Sequence, residues 1–288
     1  MHRARVSGGQ MAYVDEGEGL PVVLLHGFPT SSFLWREIVP VLAERMRVIA
    51  PDLLGYGRSD KPADVALDLR AQAGYVRELF RGLGIERFAA VGHDTGGAVA
   101  QLLALEGGVD ALGLLDSDAF DVSPIEAVRM LQDVAPEQET PEFVADVLAV
   151  ALDLGTATTL GHEVLTAYLE PFQGEEGAKA FFRAVRAIGG SGLEGHDGEL
   201  AALDIPAIVI WGEDDPYVEA QIGERLADLL PRSTLVLLPG CSHFVQEDAA
   251  DTVASLLAEF LRSRYLGIPH GPHATGPVPI QLGRHGPA

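Results

Sequence analysis

Short apolar runs alternate with helix-period stretches along most of this chain. Val22-Val23-Leu24-Leu25 and Arg47 to Ala50 are runs of strand length. From Arg70 to Leu83, Tyr75, Leu79 and Leu83 recur every fourth residue, which puts them on one helix face. Phe88 to Val91 and Leu112 to Leu115 are two further strand-like runs. After a long interval come Ile208-Val209-Ile210, a helix over 219–230, a strand from Thr234 to Leu238 and a helix over 247–264. Residues 3–15 read differently, as two strand-like pieces around Ser7-Gly8-Gly9, which signals a hairpin. Unbroken apolar runs suit strands buried on both faces, and repeated β-α alternation suits parallel pairing. The pattern predicts an α/β fold with a mostly parallel sheet flanked by helices.

The interval over residues 119–200 breaks the alternation. It holds helical patterns only, such as Phe143-Val147-Ala151 and Val164-Leu165-Tyr168. It reads as a helical cap inserted between two strands, and such insertions commonly cover a pocket at the strand C-termini. The chain therefore divides into a first core part at 1–118, the cap at 119–200, a second core part at 201–265 and a tail at 266–288. The tail is rich in Pro, Gly and His. His270 and His273 have no Cys or acidic ligand beside them, so the tail reads as a loosely held segment and not as a metal site. No metal or other cofactor is called for.

Composition narrows the class. A chain of 288 residues, 47% hydrophobic, suffices for one large domain or a domain with an insertion. Lys and Arg number 20 against 42 Asp and Glu, a formal charge of −22. That charge would repel nucleic acid and anionic membrane, so neither is expected as a partner. The single cysteine, Cys241, excludes an internal disulfide. The segment Met1 to Val6 has no apolar run behind it, and no stretch approaches the roughly 20 apolar residues of a membrane helix. The expectation is a soluble cytoplasmic protein, its oligomeric state left open.

Candidate chemistry lies at the strand ends. In "VGHDTGGAVA", residues 91–100, a strand meets a Gly-flanked turn and then a helix start. That is the setting of a nucleophile elbow, G-x-S-x-G, with Asp94 in the serine's place. His26-Gly27-Phe28-Pro29 follows the first buried strand, where a backbone N–H could line an oxyanion hole. Trp211-Gly212-Glu213-Asp214-Asp215 follows a late strand, and Cys241-Ser242-His243-Phe244 follows the last. The chain order is nucleophile, acid, histidine, as in α/β-hydrolases. Each piece has a plainer reading: His26 as a core histidine, Asp215 as a turn residue before Pro216, His243 as a helix cap. The three falling in this order at these strand ends favours the site.

On these motifs the chain, over residues 3–264, resembles the α/β-hydrolase superfamily, and within it the branch with an aspartate nucleophile. "HGFPTSSFLWR", "APDLLGYGRSDKP" and "GHDTGG" are similar to epoxide hydrolases, haloalkane dehalogenases and haloacetate dehalogenases. The resemblance implies the α/β-hydrolase fold, the cap and a triad of Asp94, Asp215 and His243. A carboxylate is ordinarily ionised at pH 7 and needs no base to attack a saturated carbon. The resulting ester keeps a carbonyl that water can attack, which an ether on serine would lack. His243 would take the proton from that water while Asp215 orients the imidazole. The N–H groups of Phe28 and Thr95 would hold the oxyanion. Asp118, near the end of the next strand, is the alternative acid, since some relatives carry theirs there. Asp116 and Asp121 read as turn residues and Asp214 as solvated. The implied partners are a small apolar organic substrate and water.

The side chains that usually mark each activity are missing in part. Haloalkane dehalogenases place Trp after the nucleophile and Asn after His-Gly, where this chain has Thr95 and Phe28. Haloacetate dehalogenases place Arg where it has Thr95 and Ala98. Trp35 and Trp211, the two tryptophans, both lie outside the cap. Epoxide hydrolases use two cap tyrosines to protonate the opening oxygen, and the cap here has only Tyr168. Tyr168 is the proton donor this reading nominates, against simple packing on a helix face, and Tyr217 ranks behind it. The expectation is an epoxide hydrolase-like enzyme, with dehalogenation by the same two steps as the alternative. A non-catalytic ligand-binding member of the superfamily is the reading from another class.

Overall fold

The computed structural model describes residues 1–265 and Gly267. Its centre is an eight-stranded sheet: β1 (His2–Val6), β2 (Gly9–Glu16), β3 (Pro21–Leu25), β4 (Arg47–Pro51), β5 (Phe88–His93), β6 (Val109–Leu115), β7 (Ala207–Gly212) and β8 (Ser233–Leu238). The spatial order is β1-β2-β4-β3-β5-β6-β7-β8. β1 and β2 form the predicted hairpin, and β2 joins β4 antiparallel. From β4 to β8 every pairing is parallel.

The unbroken apolar runs are explained by two cores, one on each sheet face. In β3, Val23 and Leu25 enter one cluster while Val22 and Leu24 enter the other. Successive side chains on a strand point to opposite faces, so a strand covered on both sides must be apolar at every position. Helices α2 (Leu69–Gly82) and α3 (Thr95–Glu106) cover the first face. Helices α1 (Val39–Ala43) and α11 (Ala250–Phe260) cover the second. α2 starts at Asp68, whose carboxylate accepts from Ala71 N–H as an N-cap. Residues 95–104 of α3 are all buried, which fits a helix with no polar face.

Between β6 and β7 the chain runs through α4 (Glu126–Gln132), α5 (Pro141–Gly155), α6 (His162–Leu169), α7 (Gly174–Ala187) and α8 (Asp197–Ala201). No strand interrupts them, as the periodicity predicted. α9 (Ala220–Leu229) follows β7. The helix expected over 247–264 is broken instead into α10 (Val245–Asp248), α11 and a π-helical turn over Leu261–Tyr265. Ala249, at φ −142°, is the break. Asp248 just before it accepts hydrogen bonds from the N–H groups of Ala157, Thr158 and Ser242. Those contacts are tertiary, so no local pattern announces the break. The expectations for the tail, His270 and His273 included, fall outside the described residues.

The strand order reverses around β3 and β5, with β4 on one side and β6 to β8 on the other. In parallel sheets a ligand crevice forms at the strand C-termini beside such a switch point. The His26 turn follows β3 and the Asp94 turn follows β5, so topology brings these two motifs side by side.

Candidate active site

Asp94 sits between β5 and α3 at φ 53° and ψ −129°, a backbone conformation that costs energy for any residue with a Cβ. The flanking glycines make the turn possible. A Cβ on Gly92 would lie 2.2 Å from the Gly96 carbonyl oxygen, and one on Gly96 would lie 2.4 Å from the carbonyl oxygens of Leu25 and His26. Asp94 is clamped through its backbone: its carbonyl accepts from Gly97 N–H at 2.8 Å and from Asp118 N–H at 3.1 Å. Its Oδ1 accepts from Thr95 N–H at 2.6 Å.

His243 and Asp215 approach from β8 and β7. Nδ1 of His243 lies 2.9 Å from Oδ2 of Asp215, and both side chains are almost fully buried. The other carboxylate oxygen of Asp215 accepts from Tyr217 N–H at 2.8 Å and Val218 N–H at 3.1 Å. Those bonds fix the carboxylate, which in turn orients the imidazole. Tyr217 stands edge-on to the His243 ring, with centroids 5.2 Å apart. His93 supports it from beneath, Nε2 lying 2.9 Å from the His243 carbonyl oxygen. Burial keeps His93 well below the usual histidine range, so it is a neutral N–H donor to that carbonyl.

A cavity of about 500 Å³ opens over this group. Asp94, Thr95, Asp118, Phe28, Tyr217 and His243 line its floor, and α4 and α5 supply apolar walls. Phe143, Val147 and Ala151, the period expected to form one helix face, line it together. Met130, Val150 and Leu154 line it too, yet remain largely exposed. The mouth is therefore rimmed with apolar side chains.

Burial pushes Asp94 well above the usual carboxylate range, and the nearby Asp118 charge adds to the push; His243 and the Thr95 N–H oppose both. Burial alone would lower His243, but Asp215, then Asp94 and Asp116, outweigh it and hold it at about 9. Asp94 is thus not the freely ionised carboxylate its ordinary pKa implies: its charge depends on the imidazolium beside it.

The two N–H groups expected to hold an oxyanion differ in their present partners. Thr95 N–H already donates to Asp94, whereas Phe28 N–H donates to the Thr95 hydroxyl at 3.1 Å. Phe28 must exchange that bond to serve an oxyanion on Asp94. Gly27 was not singled out from the sequence, although the site depends on it. A Cβ there would lie 2.5 Å from Cβ of Asp94 and 2.8 Å from its Cγ. Gly27→Ala is expected to push the carboxyl aside and lower kcat/KM by about 10²-fold or more, since misplacement by an ångström can cost that much. Overpacking adds a stability loss of roughly 1–3 kcal/mol. Steady-state kinetics and thermal melting check this; wild-type kcat/KM would show that Asp94 tolerates the displacement.

Tyr168 is the clearest correction. It is buried away from the cavity, and its hydroxyl donates to Oε1 of Glu247. Arg36 grips the same Glu247 with two hydrogen bonds, at 2.6 and 2.7 Å. Burial and the Glu247 charge push the Tyr168 phenol well above its usual range, which makes it a poorer acid. The helix face carrying Tyr168 packs on Phe33 and α10, where it ties α6 to the core. Tyr217 does reach the cavity, but its hydroxyl donates to the Ala151 carbonyl at 2.8 Å.

The plainer reading holds for His26. It is fully buried, Nδ1 facing the Gly27 carbonyl at 2.9 Å and Nε2 accepting from Leu53 N–H at 3.0 Å, so it braces the turn. Asp116 does sit in a turn, at φ 40°, but is fully buried there, and its Oδ1 accepts from Gly212 N–H at 2.8 Å. Burial holds it well above the usual carboxylate range. Asp121 and Asp214 are exposed. Among the described residues no group of three or more His, Cys, Asp and Glu could hold a metal ion, and no helix is long and apolar enough to cross a membrane.

A carboxyl on a strained strand–helix elbow, facing a histidine braced by a second carboxylate, defines a hydrolytic enzyme of the α/β class. The chain belongs to the alpha/beta hydrolase family, whose sequence profile matches residues 22–256. It is 31% identical over 270 residues to haloalkane dehalogenase 2 of Mycobacterium bovis, covering 88% of this chain and 92% of that one. It is 38% identical over 160 residues to the soluble epoxide hydrolase of a Corynebacterium species, covering 53% and 56%. The crystal structure of an alpha/beta hydrolase fold protein from Burkholderia ambifaria superposes with a TM-score of 0.83 at 31% identity, covering 90% of this chain and 97% of that one.

Proposed function

We propose that this hydrolase works through a covalent ester on Asp94 and that its substrate is an apolar epoxide, converted to a diol. The observation that carries the reading is Asp94 on the floor of an apolar cavity it shares with His243, itself 2.9 Å from Asp215. In the first step a carboxylate oxygen of Asp94 attacks a ring carbon of the epoxide and the carbon–oxygen bond breaks. The apolar walls and the α4–α5 cap over them keep bulk water from competing. Esterification removes the Asp94 charge, one of those that hold His243 up. The imidazole then gives up its proton and can act as a base. In the second step it takes a proton from water, whose oxygen attacks the ester carbonyl of Asp94. Thr95 N–H, joined by Phe28 N–H, stabilises the oxyanion, and one such donor is typically worth about 2.7–4 kcal/mol.

Halide displacement by the same two steps is the second reading, favoured by the relative named a haloalkane dehalogenase. A departing halide needs donors aimed at it, and neither tryptophan lines the cavity. The cavity floor is instead rich in carboxyl groups, which suit an oxygen that must be protonated. The test is a paired assay of diol formation from apolar epoxides and halide release from chloro- and bromoalkanes. Diol formation with slow or no halide release is expected; halide release with no diol from any epoxide would reverse the assignment.

A further inference from the structure

Opening an epoxide leaves an alkoxide, and an alkoxide in an apolar cavity must be protonated as it forms. Neither tyrosine supplies the proton. Tyr168 is turned onto Glu247, and the Tyr217 hydroxyl is spent on the Ala151 carbonyl. Thr95 Oγ1 accepts from Phe28 N–H, and as an alcohol it is a far weaker acid than a carboxyl. Asp215 is committed through both oxygens, one to His243 and one to two backbone N–H groups. One acid on the cavity floor has no role yet.

We propose that Asp118 is the acid that protonates the substrate oxygen during attack by Asp94. Asp118 lines the same cavity as Asp94 and is almost wholly buried. Its backbone is locked to the elbow: its N–H donates to the Asp94 carbonyl at 3.1 Å, and its own carbonyl accepts from Gln101 Nε2 at 2.9 Å. The two carboxyls therefore keep a fixed relation as substrate enters. Two buried carboxyls so close do not both ionise readily, and one proton between them is the favoured state. His243 favours the charged form of each, and Thr95 N–H bonds an oxygen of Asp94 as Ser123 bonds Asp118; attack proceeds from the state in which Asp94 holds the charge and Asp118 the proton. The groups facing Asp118 are Asp94 from the elbow, His243 and Asp215 from the strand ends, and Ser123 from its own loop. Burial, partly offset by Ser123 and His243, lifts Asp118 to about 6.

The proposal rests on the Asp94-ester reading, and its bookkeeping closes. The Asp94–carbon bond forms as the ring carbon–oxygen bond breaks, and the released electron pair takes the Asp118 proton. Asp94 goes from anion to neutral ester while Asp118 goes from acid to anion, so the charge moves between neighbours and the total is unchanged. In the second step the His243 imidazolium first loses its proton to solvent, to regain one when Asp94 recovers its charge; once neutral it takes a proton from water as the water oxygen bonds to the ester carbonyl. The imidazolium then protonates the departing diol oxygen. Asp94 is left as a carboxylic acid, passes its proton to Asp118, and the starting state returns. The sum is epoxide plus water to diol.

The test measures ester formation on Asp94 by mass spectrometry after rapid quenching. Styrene oxide is the probe and His243→Gln the background, which isolates the first step. Asp118→Asn in that background should slow ester formation by roughly 10²–10⁴-fold, the usual contribution of a general acid. With Asp118 intact, the rate should fall at high pH as Asp118 ionises, at a pH above the value of about 6 that holds with His243 present, and the Asn variant should lose that limb. This pH profile needs no Asp118 variant and stands if that variant misfolds. Unchanged ester formation in Asp118→Asn would overturn the proposal. So would intact ester formation with slowed ester hydrolysis when His243 is present, because Asp118 would then serve His243. Failure of styrene oxide to label the Asp118-intact background would overturn the epoxide reading itself, and the proposal with it, before any Asp118 variant is compared.

Discussion

Asp94→Asn is expected to reduce turnover by on the order of 10⁴–10⁶-fold, as loss of a nucleophile or its partner does in comparable hydrolases. An amide oxygen is a very poor nucleophile, and no other carboxyl group stands on the elbow. The fold should survive. Asn keeps the volume of Asp and can accept the Thr95 N–H bond, and it removes a carboxyl that burial destabilises as an anion. Thermal stability should therefore hold or rise, a pattern expected where function is kept at a cost in stability. Freshly purified protein is required, because slow deamidation would restore Asp94. Near-normal initial rates in fresh protein would exclude Asp94 as the attacking group.

Much of this site could be read from strand ends alone. Once alternating apolar runs and helix periods order the sheet, the C-termini of β3, β5, β7 and β8 fall at one edge, and Phe28, Asp94, Asp215 and His243 fall with them. Of the two acids the sequence leaves open, Asp118 also following a strand end, it is Asp215 that lies in hydrogen-bond contact with His243. Tyr168 shows where such reading stops. Period 3.6 tells which residues share a face of α6, but not that the face meets Arg36 and Glu247 and leaves the cavity to α4 and α5. Asp116 makes the same point: its buried carboxyl is met by the N–H of Gly212, almost a hundred residues away in the chain. Gly27 carries a signal that could have been used. A glycine between two turn residues, after a buried strand and beside an elbow, asks what passes close to it. The answer is the Asp94 side chain.

His243→Gln should uncouple the two steps. Attack by Asp94 needs no base, so the first turnover proceeds, although loss of the imidazolium removes one stabiliser of the Asp94 charge and slows it somewhat. Ester hydrolysis needs a base on the water, and glutamine offers none. Substrate should be consumed to at most one equivalent per enzyme with no diol released, after which the protein stays in the esterified form. Asp215 would remain fixed by Tyr217 and Val218 N–H, so the pocket keeps its shape. The most direct measurement is the peptide mass of this variant after incubation with an apolar epoxide. The covalent account predicts a stoichiometric gain equal to the mass of the whole epoxide, located on Asp94 and released by mild base. Steady consumption of substrate at the wild-type rate, with no added mass on the peptide containing Asp94, would contradict it.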